Sequence, residues 1–266
     1  MAFRGIRVAM KDRSGLYTAR NMENRAGEDV SMQELSDNWF EAFDDTFEDW
    51  SEFVDRFGPR PSDEDLHHIM RNFEGMEGYG YVRTSNSFNI NEKLYNPEND
   101  GKSDEEIFTR RDRNGVLRDL ETVRSLDRAI NNGRVPSNAV YTRFAGTEAI
   151  KNLFGLSNDQ MNALKNASAL TAAGREQLSK VFKGSRSYSK SYTSSSANRT
   201  MNVFTNKPVE RRLYVPAGMK AYAVSRNASE SEVIFGRGLQ TEIVGISVNG
   251  RGNVVLHERV IGYKRR

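Results

Sequence analysis

The hydrophobic residues of this 266-residue chain change their spacing halfway along the sequence, and this change restricts the fold more than any other feature. In the first half they recur at steps of three and four, which is typical of helices with one buried face. In the second half, short apolar runs separated by Gly, Pro and Asn turns are typical of strands. We expect strands at Ala139–Tyr141, Arg212–Val215, Lys220–Val224, Glu232–Phe235, Glu242–Val248 and Asn253–Ile261.

Helices followed by strands predict an α+β fold rather than alternating βαβ units. The sequence contains neither a GxGxxG nor a Walker-type loop, so a Rossmann or P-loop nucleotide site is not expected. Helices are predicted after Ser62, from Gly115 to Asn131, and in short pieces at Ala149–Phe154, Asp159–Leu164 and Arg175–Phe182.

An aromatic helix is predicted near the N-terminus, beginning at a capping box of Ser31 and Glu34 and ending before Gly58-Pro59. We assign residues 1–60 to a loosely ordered arm and this helix, and residues 61–266 to the main domain. The apolar stripe of the helix consists of Leu35, Trp39, Phe43, Phe47, Trp50, Val54 and Phe57.

Charge is distributed unevenly along the chain. The net charge is +3, yet the segment Ser31–Asp55 contains nine acids and no Lys or Arg. Without these nine acids the remainder carries 39 bases and 27 acids, a net charge of +12. The acidic segment is either a solvated helix face, a cover for the basic body, or a second binding surface of opposite sign. A basic body fits a polyanionic ligand, either a nucleic acid or a dinucleotide.

Composition excludes several classes of site. The chain has no Cys, which excludes disulfides, thiolate zinc sites and Cys nucleophiles. The start of the chain lacks the apolar segment of a secretory signal or a membrane span, so we expect a cytoplasmic protein. His67 and His68 have no third ligand near them in sequence, so no metal site is expected, and His257 is expected to be structural.

Three segments carry residues suited to chemistry. Arg143 ends an apolar strand and offers a guanidinium fork to a phosphate or carboxylate, or forms an ordinary salt bridge. The four hydroxyls of Thr193–Ser196 could bind a ribose or orient a carboxylate, or belong to a Ser-rich linker. Alternation along a strand would place Glu230 and Glu232 on one face, about 7 Å apart, although paired acids are also common on surfaces.

The order of these segments resembles the Arg–Ser–Glu class of mono-ADP-ribosyltransferases, which includes enzymatic components of binary toxins and phage-encoded enzymes. The matching elements are VYTRFAG, SYTSSSA and ESEVIF, supported by YVRTSNSFNINEKLY and ERRLYVPAGMKAYAV, over roughly residues 65–266. Three departures are visible. Thr142 separates Tyr141 from Arg143, Ser195 replaces the usual Thr, and the turn SRNAS lacks the aromatic residue of many actin-directed members.

The resemblance implies a mixed or antiparallel β-sandwich core of ADP-ribosyltransferase type and NAD as the substrate. It also implies a protein target with an accessible arginine. Under this hypothesis Glu232 stabilises an oxocarbenium-like transition state and Ser194 holds Glu232. The remaining implied roles are phosphate binding by Arg143 and Arg212, packing of Phe144 beside the nicotinamide, and positioning of the acceptor arginine by Glu230.

An alternative is a nucleic-acid or virion-associated binding protein that uses its basic body. Lys183–Arg186 and Tyr263–Arg266 are basic clusters, and Tyr188 and Tyr192 are candidate stacking groups beside them. The two hypotheses are compatible, because a transferase could find its target on nucleic acid.

Overall fold

The computed structural model shows helices that lead into a sheet. It describes residues 49–70, 80–82, 84, 86–111, 114–198, 206–225 and 230–264. The helices of these residues are α1 Trp50–Asp55, α2 Asp63–Ile69, α3 Asn86–Tyr95, α4 Asp104–Ile107, α5 Arg118–Asn132, α6 Thr147–Phe154, α7 Asn158–Lys165 and α8 Ala172–Phe182, with 3-10 turns at Pro97–Asn99 and Ala167–Ala169.

In the described part of the chain, eight strands form one hydrogen-bonded sheet in the order β2-β7-β8-β4-β1-β3-β6-β5. Strands β4 and β8 are parallel, and the other neighbouring pairs are antiparallel. The strands are β1 Ala139–Ala145, β2 Arg186–Ser189, β3 Thr193–Ser196, β4 Val209–Val215, β5 Ala221–Ala223, β6 Glu232–Phe235, β7 Leu239–Val248 and β8 Val254–Tyr263. The predicted α+β class with a mixed sheet is therefore confirmed.

The sheet curls so that its two halves enclose a common core. Tyr141 on β1 packs edge-to-face on Phe235 of β6, with ring centroids 5.3 Å apart. The Tyr263 hydroxyl, at the end of β8, donates to the carbonyl of Lys220 and accepts the amide N–H of Gly236. These contacts join β8 to the far edge of the sheet and give the core its sandwich character.

Helix boundaries follow local capping chemistry. The Ser62 side chain accepts the amide N–H of Asp65 at the start of α2, as the sequence predicts. Helix α5 begins at Arg118 rather than at Gly115, which has a φ of 79° that a right-handed helix cannot accommodate. The buried face of α5 includes Leu120, Val123, Leu126 and Ile130.

The Ser-rich segment is not a linker over residues 186–196, because it forms β2 and β3. Its small hydroxyls find partners inside the sheet: Ser187 Oγ lies 2.6 Å from Thr241 Oγ1, and Ser189 Oγ donates to the carbonyl of Ser191. Such pairing allows polar side chains to be buried at low cost. The linker hypothesis for this stretch is wrong.

Helix α1 is the described end of the predicted aromatic helix. The capping box at Ser31, the arm and the stripe positions Leu35, Trp39, Phe43 and Phe47 lie outside the described residues. In α1 and the turn after it the buried residues are Trp50, Phe53 and Phe57, and they pack into the same cluster as Val233 and Phe235 of β6.

A buried ion pair lies between two apolar clusters on the inner face of the sheet. Nε and Nη2 of Arg211 each lie 2.6 Å from a carboxylate oxygen of Glu258, which is fully buried. Thr241 Oγ1 donates to the same carboxylate, and Ser187 contacts Thr241. Removing one partner of such a pair costs about 3–5 kcal/mol, because the other charge stays buried.

His257, on the opposite face of β8, lies between two hydroxyls. Its Nδ1 is 2.8 Å from the Tyr214 hydroxyl, and its Nε2 is 2.7 Å from Ser247 Oγ. Burial, together with the positive charge of Arg212, lowers the pKa of His257 to about 3. The imidazole is therefore neutral in the folded protein at physiological pH, in agreement with the structural role expected for it.

This pKa predicts a pH dependence of stability. Between pH 6.5 and pH 3 the unfolded state binds a proton at His257 that the folded state does not, so the free energy of unfolding falls as the pH falls. The slope from this residue is about 1.4 kcal/mol per pH unit below pH 6.5. Urea unfolding of the parent and of His257→Gln from pH 7.5 to pH 4.5 measures it. Parallel curves for the two proteins would contradict the prediction.

Candidate functional site

Among the described residues, strands β1 and β3 are paired at one position, Thr142 with Ser196. Beyond that pair, towards the end of β1 and the start of β3, the half-buried Arg143 lies between the strands, and its Nη1 donates to the carbonyl of Ser194 at 2.6 Å. This bond holds the guanidinium of β1 against the backbone of β3.

The Ser194 side chain connects β3 to β6. Its Oγ donates to Oε1 of Glu232 at 2.5 Å. Glu232 is the first residue of β6 and pairs with Ser196, so Ser194 lies diagonally across the ladder on the same face. Glu232 is 8% exposed, which makes its carboxylate an oriented charge in a largely water-free position. Thus Arg143, Ser194 and Glu232 come together.

Glu230 occupies a turn rather than strand β6. Between the two glutamates, Ser231 has a φ of 44°, a left-handed conformation that is uncommon for a residue with a side chain. Strand alternation therefore does not relate Glu230 to Glu232, and the expectation that both lie on one strand face is wrong. Strained backbone of this kind is frequent at functional sites.

Tyr81 lies beside this group and extends it towards α3. Its hydroxyl exchanges hydrogen bonds with the Asn91 side chain, and its ring packs edge-on against Tyr192 at 5.3 Å. Burial raises the pKa of Tyr81 to about 12, with smaller effects of the nearby charges of Arg143 and Glu232. Both Tyr81 and Asn91 belong to the segment YVRTSNSFNINEKLY, so the sequence contained the signal for them.

Arg212 is not part of this group. On β4 it is the neighbouring Arg211 that pairs with Arg143, so alternation directs the Arg212 side chain to the opposite face. There Arg212 Nε donates to Glu210 at 2.6 Å, and Glu210 also accepts from Asn249. The structure therefore does not bring the expected second phosphate ligand to Arg143.

Phe144 also points away from Arg143, because adjacent residues of a strand face opposite sides. It is half-buried and pairs with Glu210 of β4, the ion-pair partner of Arg212. Thr142, on the same face of β1 as Phe144, pairs with Ser196 of β3. The expected contact of Phe144 with the nicotinamide ring therefore stays a prediction.

Lys207 is a cation that sequence reasoning missed. Burial and the nearby charge of Arg143 lower its pKa, which indicates that the two cations share one region. The pKa of Arg143 is itself lowered by burial and by the charge of Arg211. Asn253 Nδ2 donates to the carbonyl of Lys207 and fixes the backbone there. Lys207 stands alone among turn residues in the sequence, so no pattern pointed to it.

The two tyrosines expected to stack on bases in the nucleic-acid alternative differ in their exposure. Tyr192 is 2% exposed, and its hydroxyl bonds to Asp127 and to the carbonyl of Val123, so it cannot stack on a base. Tyr188 is half-buried, and the Lys264 ammonium lies 5.2 Å from its ring centroid.

Among the residues that the structure describes, no group of three or more His, Asp or Glu is arranged to hold a metal ion. In the same residues, no helix has the length and apolar character needed to cross a bilayer.

Known proteins share this fold. C3stau2 from S. aureus, solved with NAD, is 16% identical with a TM-score of 0.58, covering 80% of this chain and 93% of its own. The C3 exoenzyme of Clostridium limosum is 19% identical with a TM-score of 0.54, covering 83% and 98%. The enzymatic component C2-I of the Clostridium botulinum C2 toxin is 16% identical with a TM-score of 0.51, covering 82% of this chain and 48% of that one. A search among curated proteins finds no match.

The family comparison agrees with the site geometry. A model of the ADP-ribosyltransferase exoenzyme family matches residues 65–262, which is most of the chain and contains Arg143, Ser194 and Glu232. This protein therefore belongs to the ADP-ribosyltransferase exoenzyme family and is an NAD-dependent ADP-ribosyltransferase.

Proposed function

We propose that this enzyme transfers ADP-ribose from NAD to an arginine side chain of a target protein and releases nicotinamide. The observation that supports the proposal most strongly is the connected group of Arg143, Ser194 and Glu232. On three strands, the Arg143 guanidinium bonds to the backbone carbonyl of Ser194, and the Ser194 hydroxyl bonds to the buried carboxylate of Glu232.

Glu232 acts on the ribose in this proposal. Cleavage of the bond between ribose C1′ and the nicotinamide nitrogen leaves positive charge on the ribose, as in glycoside hydrolysis. A carboxylate already oriented by Ser194 stabilises that charge without having to reorganise during the reaction. Ser194 is thus a positioning residue for Glu232, in addition to contacting the nicotinamide ribose.

Arg143 and Lys207 hold the pyrophosphate. Arg143 donates one N–H to the Ser194 carbonyl, and its guanidinium has further N–H groups that can reach a phosphate. Lys207 supplies the second positive charge that we had expected from Arg212. Bringing two mutually repelling cations together is unfavourable in the free enzyme, and a bound dianion relieves that repulsion.

Glu230 positions the acceptor. Two parallel hydrogen bonds between its carboxylate and a guanidinium would place an arginine nitrogen for attack on C1′. The C1′–nitrogen bond to the acceptor forms as the bond to nicotinamide breaks with its electron pair, and the guanidinium loses a proton. The position of Glu230 in the turn before Glu232 suits a residue that meets a second substrate at the edge of the cleft.

Replacing Glu232 by Gln tests the proposed function. The amide keeps the size of the side chain but removes the charge, so we expect both nicotinamide release and transfer to fall at least about a hundredfold. Nicotinamide release measured by chromatography and labelling of a lysate with tagged NAD provide the two readouts. Activity equal to that of the parent would refute the role of Glu232.

Glu230→Gln separates acceptor recognition from NAD cleavage. We expect transfer to a small guanidine compound to fall about tenfold or more, because the bidentate ion pair is lost. Nicotinamide release in the absence of acceptor should stay within about twofold of the parent, since the ribose contacts of Glu232 remain. Equal losses in both reactions, or modification of asparagine rather than arginine in mass spectrometry of the product, would contradict the arginine acceptor.

Lys207→Gln tests the phosphate assignment against Arg212→Gln. Loss of a cation that interacts electrostatically with Arg143 should raise KM for NAD about fivefold to tenfold with little change in kcat. Arg212→Gln should lower the melting temperature because it leaves Glu210 without its ion pair, while KM of the folded fraction stays near that of the parent. The reverse result would restore Arg212 as the phosphate ligand.

A further inference from the structure

The loop that carries Glu230 connects β5 to β6, and its two ends meet at one pair of residues. The amide N–H of Val224 donates to the carbonyl of Glu232 at 2.9 Å. On the other side, the amide N–H of Ala197 donates to the carbonyl of Ser231, also at 2.9 Å. These two bonds form a stem on both sides of the start of β6, and Glu230 lies directly before Ser231 at this stem.

Trp50 of helix α1 holds this stem from outside the sheet. Its indole Nε1–H donates to the carbonyl of Val224 at 2.9 Å, across 174 residues of sequence, in a buried bond. The backbone of Val224 is therefore fixed on both sides, by Glu232 through its N–H and by Trp50 through its carbonyl. An unpaired buried carbonyl would cost about 1–3 kcal/mol, so the bond restrains the backbone strongly.

Helix α1 keeps the indole in place through its own local structure. The Asp49 side chain caps the helix by accepting the amide N–H of Glu52 at 2.8 Å. The Trp50 ring stacks on Phe53 with centroids 5.0 Å apart, and Phe53 contacts Phe57 at 5.1 Å. This aromatic row is anchored in the same cluster as β6, so the indole has little freedom to rotate.

The chain after α1 also lies close to the loop stem. Phe57 and Pro59 line a small cavity together with Ala223 and Ser225, at the point where the loop leaves β5. The residues that follow the acidic aromatic segment thus lie next to the start of the loop.

We propose that Trp50 is a positioning residue for the transfer step, because its indole N–H fixes the stem of the loop that presents Glu230 to the acceptor. The proposal rests on the proposed function, in which Glu230 binds the acceptor arginine. Besides its bond to Val224, Glu232 is held by its pairing with Ser196 and by the Ser194 hydroxyl, and these contacts do not involve Trp50. Loss of the Trp50 bond therefore affects acceptor positioning more than NAD cleavage.

The test compares Trp50→Phe, which keeps an aromatic ring but loses the N–H donor, with Val260→Ala on β8. Val260 is buried in the same cluster, so its variant reproduces a packing loss while keeping the Trp50 indole and the Phe53 ring on which it stacks. For the parent and both variants we would measure nicotinamide release without acceptor, transfer to a small guanidine compound, and amide hydrogen exchange.

In Trp50→Phe we expect kcat for transfer to fall about tenfold, because misplacement of a positioning group lowers the rate of the step that it orients. Nicotinamide release should change less than about twofold. The amides of Val224 and Ala197 should exchange about tenfold faster, as expected for the loss of one hydrogen bond that restrains the stem. Val260→Ala should lower the melting temperature without producing the changes in transfer or in exchange at these two amides.

Unchanged exchange at Val224 and Ala197 in Trp50→Phe would overturn the proposal, as would equal losses of transfer and hydrolysis or the same pattern in Val260→Ala. If the parent itself fails to modify guanidine compounds while exchange rises in Trp50→Phe, the arginine acceptor is wrong and the anchoring of the loop stands. The two failures are therefore distinguishable.

Discussion

The bidentate contact of Arg211 with Glu258 is the interaction on which the rest of this structure depends. It bonds β4 to β8, the parallel pair in the sheet, at a depth where water cannot compensate for a lost partner. It also neutralises Arg211, which stands directly beside Arg143 across the β1–β4 ladder. Without the Glu258 carboxylate, two adjacent guanidinium groups would repel each other in a poorly solvated position. The ion pair thus offsets one of two adjacent positive charges and favours a charged Arg143 beside the Ser194 carbonyl.

The positions of the site residues follow from the pairing of the strands that carry them. Strands β1 and β3 pair at Thr142 and Ser196, and the Arg143 side chain bonds to the Ser194 carbonyl. Strand β6 continues the ladder on the far side of β3 and delivers Glu232 to the Ser194 hydroxyl. Three residues that are distant in sequence therefore meet because each lies at a defined register of neighbouring strands. Their spacing along the chain alone would not bring them together.

Much of this could be predicted from the sequence. The change in hydrophobic spacing predicted the α+β class, and the order of the motifs identified Arg143, Ser194 and Glu232 before any coordinates. The register of the strands could not be predicted in this way. Whether Arg211 or Arg212 lies beside Arg143 depends on how β4 is aligned with β1, and a shift of one residue reverses the result. The sequence predicts Glu230 on a strand, because nothing in the sequence indicates the left-handed conformation of Ser231. Lys207 could not be predicted, because only the fold brings its charge within electrostatic reach of Arg143.

The hydrogen bond between Trp50 and Val224 has a consequence for how the catalytic unit is delimited. Similarity to the family begins at residue 65, after the whole of α1. An expression fragment trimmed to that match would keep every residue assigned to NAD cleavage, yet it would discard the indole that braces the acceptor loop. In the proposed mechanism, the segment that matches the family is thus shorter than the segment needed for transfer to the acceptor.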